Sequence, residues 1–120
     1  MKKIAVVNDL SGFGKCSLSV ALPIISAMGL ECSALPTAIL SNQTGFDSFY
    51  CKSFTEFLPE YIAEWKKMNV SFDAILTGYM ADAKQVETIS NFIDDFRNDD
   101  TLVFVDPVMA DDGVLYDTYD

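Results

Sequence analysis

Apolar residues recur along this chain with two alternating spacings, one suited to strands and one to helices. Ile4-Ala5-Val6-Val7 is a short unbroken apolar run, partly β-branched, of the kind found in a strand covered on both faces. A turn containing Gly12 and Gly14 follows, and Ser17 to Met28 reads as a helix closed by Gly29. Glu31 to Leu35 and Thr37 to Leu40 are extended segments interrupted by Pro36. Ser41 to Ser48 is polar and rich in turn formers, the composition of a functional loop.

The next helix has the clearest pattern. Phe54, Phe57, Leu58, Tyr61, Ile62, Trp65 and Met68 fall at three- and four-residue steps, one apolar face that belongs in a core rather than lining a ligand. Ser53 and Glu56 have capping-box spacing. Pro59 either starts the main helix after a separate first turn or kinks it. Phe72 to Leu76 predicts a strand ending in Thr77-Gly78-Tyr79. Asp82 then caps a helix to about Arg97, with Val86, Ile89, Ile93 and Phe96 facing inward. Leu102 to Val105 predicts another buried strand, ending at Asp106-Pro107.

Strands alternating with helices define an α/β fold with a mostly parallel sheet and helices on its faces. Ligands bind such sheets at the carboxyl ends of the strands. Polar or Gly-rich clusters occupy those ends here: Asn8 to Gly14, Ser41 to Gly45, Thr77 to Tyr79 and Asp106 to Gly113. Residues 1–120 are enough for one domain, and no repeat or flexible linker divides them.

Charge narrows the partners. The net charge of −10 is uneven: residues 1–60 carry four lysines against five acids, residues 61–120 three lysines and one arginine against thirteen. With no basic stripe, neither nucleic acid nor an anionic membrane surface is an expected partner. The longest strongly apolar stretch, Val20 to Leu30, falls short of a membrane span. Cys16, Cys32 and Cys51 form no C-x-x-C pair, and the chain has no histidine. Zinc sites and Ser-His or Cys-His catalysis are thereby excluded as readings, and free thiols in a reducing cytosol are expected.

The turn Asp9-Leu10-Ser11-Gly12-Phe13-Gly14-Lys15-Cys16-Ser17 fails two familiar phosphate-binding patterns. Asp9 stands where a P-loop needs its first glycine, and Cys16 replaces the hydroxyl that would bind magnesium. A dinucleotide fingerprint would need glycine at Ser17. Glycines before a helix still permit close approach of backbone to ligand, although a plain βα turn would use them equally well.

At this turn a family resemblance emerges. Asn8 to Gly14, with the apolar helix and Ala27-Met28-Gly29 after it, resembles the start of the pyridoxal and hydroxymethylpyrimidine kinases, a ribokinase-like group. Leu35-Pro36-Thr37-Ala38-Ile39-Leu40-Ser41-Asn42-Gln43-Thr44-Gly45 is similar to their second-strand signature, and Thr77-Gly78-Tyr79 to the strand end that lends a ring to the vitamin pocket. Asp106-Pro107-Val108-Met109, with Asp111-Asp112-Gly113 and Tyr116, is similar to the stretch flanking nucleotide and metal.

The resemblance implies a three-layer α/β/α fold whose sheet continues past this chain, leaving it incomplete at the C-terminus. It implies a cytosolic phosphotransferase, homodimeric when full length, that uses ATP, Mg2+ and in some members a monovalent cation. Pyridoxal, pyridoxine or pyridoxamine would be phosphorylated on the hydroxymethyl group; a hydroxymethylpyrimidine kinase and a non-catalytic binding protein are the alternatives. Asp9, Cys16, Ala38, Leu40, Thr44 and Tyr79 align with substrate-contacting positions. Asp106 and Asp111 align with acids near the phosphates, Asp106 also with the metal side. Asp9 is shared with the hydroxymethylpyrimidine kinases, and Gln43 replaces a histidine frequent in pyridoxal kinases. The family's general base lies in a Gly-x-Gly-Asp segment. Glycines here occur only at 12, 14, 29, 45, 78 and 113, so no catalytic base is assigned within 1–120 and the chain alone is expected to be inactive.

Overall fold

The computed structural model describes residues 1–106 and, beyond them, the backbone of Ala110–Asp111 and Val114–Leu115. Its elements run β1 (Lys3–Phe13), α1 (Ser17–Ala27), β2 (Glu31–Asn42), β3 (Cys51–Ser53), a 3-10 turn (Thr55–Phe57), α2 (Leu58–Lys67), β4 (Ala74–Thr77), α3 (Ala83–Phe96) and β5 (Leu102–Val105). Two short strands, β6 (Ala110–Asp111) and β7 (Val114–Leu115), pair antiparallel. The main sheet has the order β3-β2-β1-β4-β5, parallel except for β3. This is the expected α/β architecture, and β1 lies at the centre of it.

One face of the sheet carries α2 and α3. Ala5, Val7, Leu35 and Ile75 point toward Leu58 and Ile62 of α2 and Ile89, Phe92 and Phe96 of α3, with Phe72 between them. The rings interlock: Phe92 and Phe96 lie 4.7 Å apart, and Trp65 stands 5.3 Å from Phe72. Trp65 is thus a core residue, as its helical spacing predicts. The other face carries α1, which packs on β1 and β2. Pro59 sits in the first turn of α2, after the separate 3-10 turn, where its missing N–H costs nothing. Gly29, at φ +81°, closes α1: Leu30 N–H reaches Ile25 O and Gly29 N–H reaches Ser26 O.

Several expectations are corrected. The segment read as a turn after Val7 is strand as far as Phe13, because β2 also continues and offers partners up to Asn42. Pro36 does not interrupt β2. β3 pairs only with residues 38–40, so at Pro36 the strand has β1 on one side alone and loses no ladder bond on the other. Directly after it comes a bulge: Asn8 pairs with Pro36 and Leu10 with Ile39, two residues of β2 opposing one of β1. The capping box is absent; Ser53 Oγ accepts the Thr55 N–H instead. Phe57 and Met68 lie outside the core, and Val86 is 51 % exposed while Phe92 and Gln85 are buried.

β5 is also not the buried strand expected. Leu102 and Phe104 are 61 % and 55 % exposed on the face shared with α1, and among the described residues no strand pairs with its outer edge. An exposed apolar edge invites association. Replacing both Leu102 and Phe104 with lysine should therefore raise the soluble concentration of the 120-residue chain, as light scattering would show; unchanged scattering would refute it.

Candidate functional site at the carboxyl rim of the sheet

The chain builds β2 and β3 on one side of β1 and β4 and β5 on the other. The connections part at the carboxyl ends of β1 and β4, the usual ligand position in such sheets. Asn8 and Asp9 lie on β1 there, and Gly78 and Tyr79 directly follow β4.

Asn8 bridges the two. Its Oδ1 accepts Asp9 N–H at 2.9 Å and Tyr79 N–H at 3.0 Å. Gly78 is required by space rather than by conformation, since a Cβ there would lie 2.5 Å from Asn8 Nδ2. Tyr79 O in turn accepts from Thr37 Oγ1 at 2.8 Å. The Tyr79 backbone is held from β1 and β2 together, and its buried side chain packs with Ala38 and Leu40, with Phe49, Cys51 and Ala81 around them.

Asp9 is only 7 % exposed. Its carboxylate accepts Ser17 Oγ at 2.6 Å and Ser11 Oγ at 3.3 Å. Ser17 adopts φ +51°, left-handed backbone that a serine enters at some cost, at the start of α1. A carboxylate has about four acceptor positions, so Asp9 keeps capacity for a ligand donor.

Cys51 reports the same neighbourhood. Burial pushes its thiol pKa up, and the Asp9 charge pushes it further. Burial also raises Cys32. Cys51 should therefore be alkylated only slowly at neutral pH and faster as pH rises. Asp9→Asn should speed Cys51 alkylation at fixed pH, because removing a negative charge favours the thiolate. Mass spectrometry of the alkylated peptide would show this, and an unchanged rate would contradict the Asp9–Cys51 coupling.

The remaining expected residues fall as follows. Cys16 is the N-cap of α1, directly before Ser17. Thr44 lies in the half-buried turn after β2, where Gln43 N–H bonds Phe13 O and the Gln43 side chain covers Gly14. Asp106 follows β5, exposed, its N–H donated to Thr77 O. The structure thus puts Asp9, Ala38, Leu40, Thr44, Tyr79 and Asp106 at the same end of the parallel sheet. Asp111 pairs with Val114 by its backbone. Pro107, Val108, Met109, Asp112, Gly113 and Tyr116 lie outside the described residues. Among those described, no three His, Cys, Asp or Glu side chains gather as a metal site, and no helix is long and apolar enough to cross a membrane. Sequence reasoning did not single out Asn8, Thr37 or Gln85 individually, since their importance lies in hydrogen bonds between distant segments.

Comparison with known proteins places this architecture among ribokinase-like α/β proteins. A protein assigned as a phosphomethylpyrimidine kinase from Bacteroides thetaiotaomicron, solved with pyridoxal, is 50 % identical, with a TM-score of 0.96 over 99 % of this chain and 42 % of its own. Pyridoxal kinase from Lactobacillus plantarum is 34 % identical, with a TM-score of 0.89 over 100 % of this chain and 43 % of its own. Among curated proteins, the pyridoxine/pyridoxal/pyridoxamine kinase of Bordetella avium is 30 % identical over 105 residues, 83 % of this chain and 36 % of that protein. No family model matches. The chain therefore spans well under half the length of these relatives, and over that length its sequence and fold support the pyridoxal and hydroxymethylpyrimidine kinase group.

Proposed function

We propose that residues 1–120 supply the substrate-binding half of an ATP-dependent kinase that phosphorylates the hydroxymethyl group of pyridoxal, pyridoxine or pyridoxamine. The observation that carries this reading is the grouping of residues at the carboxyl ends of β1, β2 and β4. It sets a buried carboxylate, Asp9, beside a buried apolar cluster of Ala38, Leu40 and Tyr79. A flat heteroaromatic with polar substituents requires both, an apolar contact for the ring and an acceptor for its donors. Cys16 and Thr44 border the same end of the sheet.

Phosphoryl transfer depends on positioning and charge neutralisation. Asp106, at the neighbouring strand end, offers the single carboxylate that suits a magnesium ion held largely by phosphates and water; Asp111 belongs to the same phosphate side of the reading. Magnesium would supply charge neutralisation at the phosphates. A cytosolic setting, a full-length homodimer and a monovalent cation complete the proposal by resemblance. The general base is assigned to none of the 120 residues.

Titration calorimetry tests it. The chain should bind pyridoxal yet show no ATP-dependent phosphorylation of it; turnover by purified protein of verified mass would overturn the half-site reading. Tyr79→Ala should weaken pyridoxal binding about two- to tenfold, the value of a ring contact, while Asp106→Asn leaves it unchanged. The reverse pattern would withdraw both roles. A second reading, hydroxymethylpyrimidine as substrate, is favoured by Asp9 with Ser11 and Gly12, and tighter binding of that pyrimidine than of pyridoxal would establish it.

A further inference from the structure

Gln85 is a wholly buried amide in the first turn of α3, where an apolar residue would fill space without any need for partners. Instead, its side chain is matched to three separate elements. Nε2 donates to Thr37 O of β2 at 2.7 Å and to Thr55 Oγ1 in the 3-10 turn at 3.0 Å. Oε1 accepts the N–H of Ala81, in the segment between β4 and α3, at 2.7 Å. Thr37, which receives the Gln85 amide on its carbonyl, gives its own hydroxyl to Tyr79 O. Thr55 Oγ1 donates onward to Asp82 Oδ2 at 2.7 Å, and Asp82 caps α3 through Gln85 N–H. The segment carrying Tyr79 is therefore fastened at residue 79 through Thr37 and at residue 81 through Gln85.

We propose that Gln85, with Thr37, is a positioning residue for the substrate ring: it fixes the Tyr79 segment against Ala38 and Leu40. The role in ring binding rests on the vitamer-kinase reading above. Buried networks of this kind confer rigidity only when every member is satisfied, so removing one donor should loosen the segment as a unit.

The 120-residue chain is the test object, with amide hydrogen exchange and pyridoxal titration as the two readouts. In Gln85→Leu, exchange at Tyr79, Met80 and Ala81 should accelerate about tenfold or more, with pyridoxal binding weakened by a similar factor. Exchange at Val6 and Val7 in β1 should stay as in the wild type. Thr37→Val keeps the side-chain shape, removes the hydroxyl on Tyr79 O and should loosen the same segment. It decides the matter if Gln85→Leu does not fold.

Gln85→Glu separates positioning from mere core filling. A neutral carboxyl can donate to Thr37 O and accept from Ala81 N–H, whereas an ionised one gives Thr37 O no donor and faces Asp82, the other charged group in the network. Relative to wild type at each pH, this variant should bind pyridoxal well at low pH and lose affinity as pH rises. Unchanged exchange at residues 79–81 in folded Gln85→Leu or Thr37→Val would overturn the clamp. A wild-type chain that ignores pyridoxal while Gln85→Leu still loosens residues 79–81 would instead overturn the substrate reading and the ring role with it.

Discussion

Gly78→Ala should destabilise the chain by about 1–3 kcal/mol and cost it most of its pyridoxal affinity. The added methyl would sit 2.5 Å from Asn8 Nδ2 and 2.7 Å from Asn8 Cγ. Asn8 is the end of a side chain, but it is not free to swing away. Its Oδ1 holds the N–H groups of Asp9 and Tyr79, so relief of the clash breaks the bridge between β1 and the Tyr79 segment. Asn8→Ala combined with Gly78→Ala should recover part of the stability, since the obstacle is gone, without recovering affinity. Urea unfolding of both variants with calorimetric titration would measure this. A Gly78→Ala chain of wild-type stability and affinity would show that the bridge is dispensable.

Phe92→Ala should have the larger effect on stability, about 3–5 kcal/mol. Phe92 is buried between the sheet and α3 and lies within ring-contact distance of Trp65, Phe72 and Phe96. Marginal stability of about 5–15 kcal/mol is usual for a domain, so the variant should be partly unfolded at room temperature. Circular dichroism would detect that. Phe92→Leu, which keeps most of the volume, should remain folded, and a loss equal to that of alanine would argue against cavity formation as the cause.

The order β1, α1, β2, α2, β4, α3 and β5 was legible in the sequence from apolar spacing and turn signals, whereas the short strands β3, β6 and β7 carry no such pattern and were not read. The gathering of Asp9, Thr44, Tyr79 and Asp106 at one end followed from parallel topology. What escaped was set by partners far apart in the chain. On α3, the steps Val86, Ile89, Ile93, Phe96 and the steps Gln85, Ile89, Phe92, Phe96 fit helical spacing equally well. The second set is buried, and the polarity of Gln85 hid it. The strand through Phe13 could not be read from Ser11-Gly12-Phe13, since its ladder bonds come from residues 39–42. Pro36 looked like a break because its tolerance depends on which edge of β2 lacks a partner. Of the candidate site, Tyr79 and Asp9 were visible through family-like motifs, whereas the Asn8 and Thr37 side chains matter through hydrogen bonds to backbone groups of a distant segment, which no local pattern reveals.

The bulge in β2 turns a count of residues into chemistry. Up to its first residue, Thr37, the odd positions Leu35 and Thr37 are buried; from its second, Ala38, the even positions Ala38 and Leu40 are. One surplus residue thus reverses the parity of the strand, so that neighbours in sequence, Thr37 and Ala38, both point indoors. A hydroxyl that tethers the aromatic segment and a methyl that packs with Tyr79 are delivered side by side, which a regular strand cannot do. Deleting a single residue between Pro36 and Ile39 would restore regular alternation and, in doing so, erase one of the two. The candidate site is accordingly specified as much by the length of this strand as by the identity of its side chains.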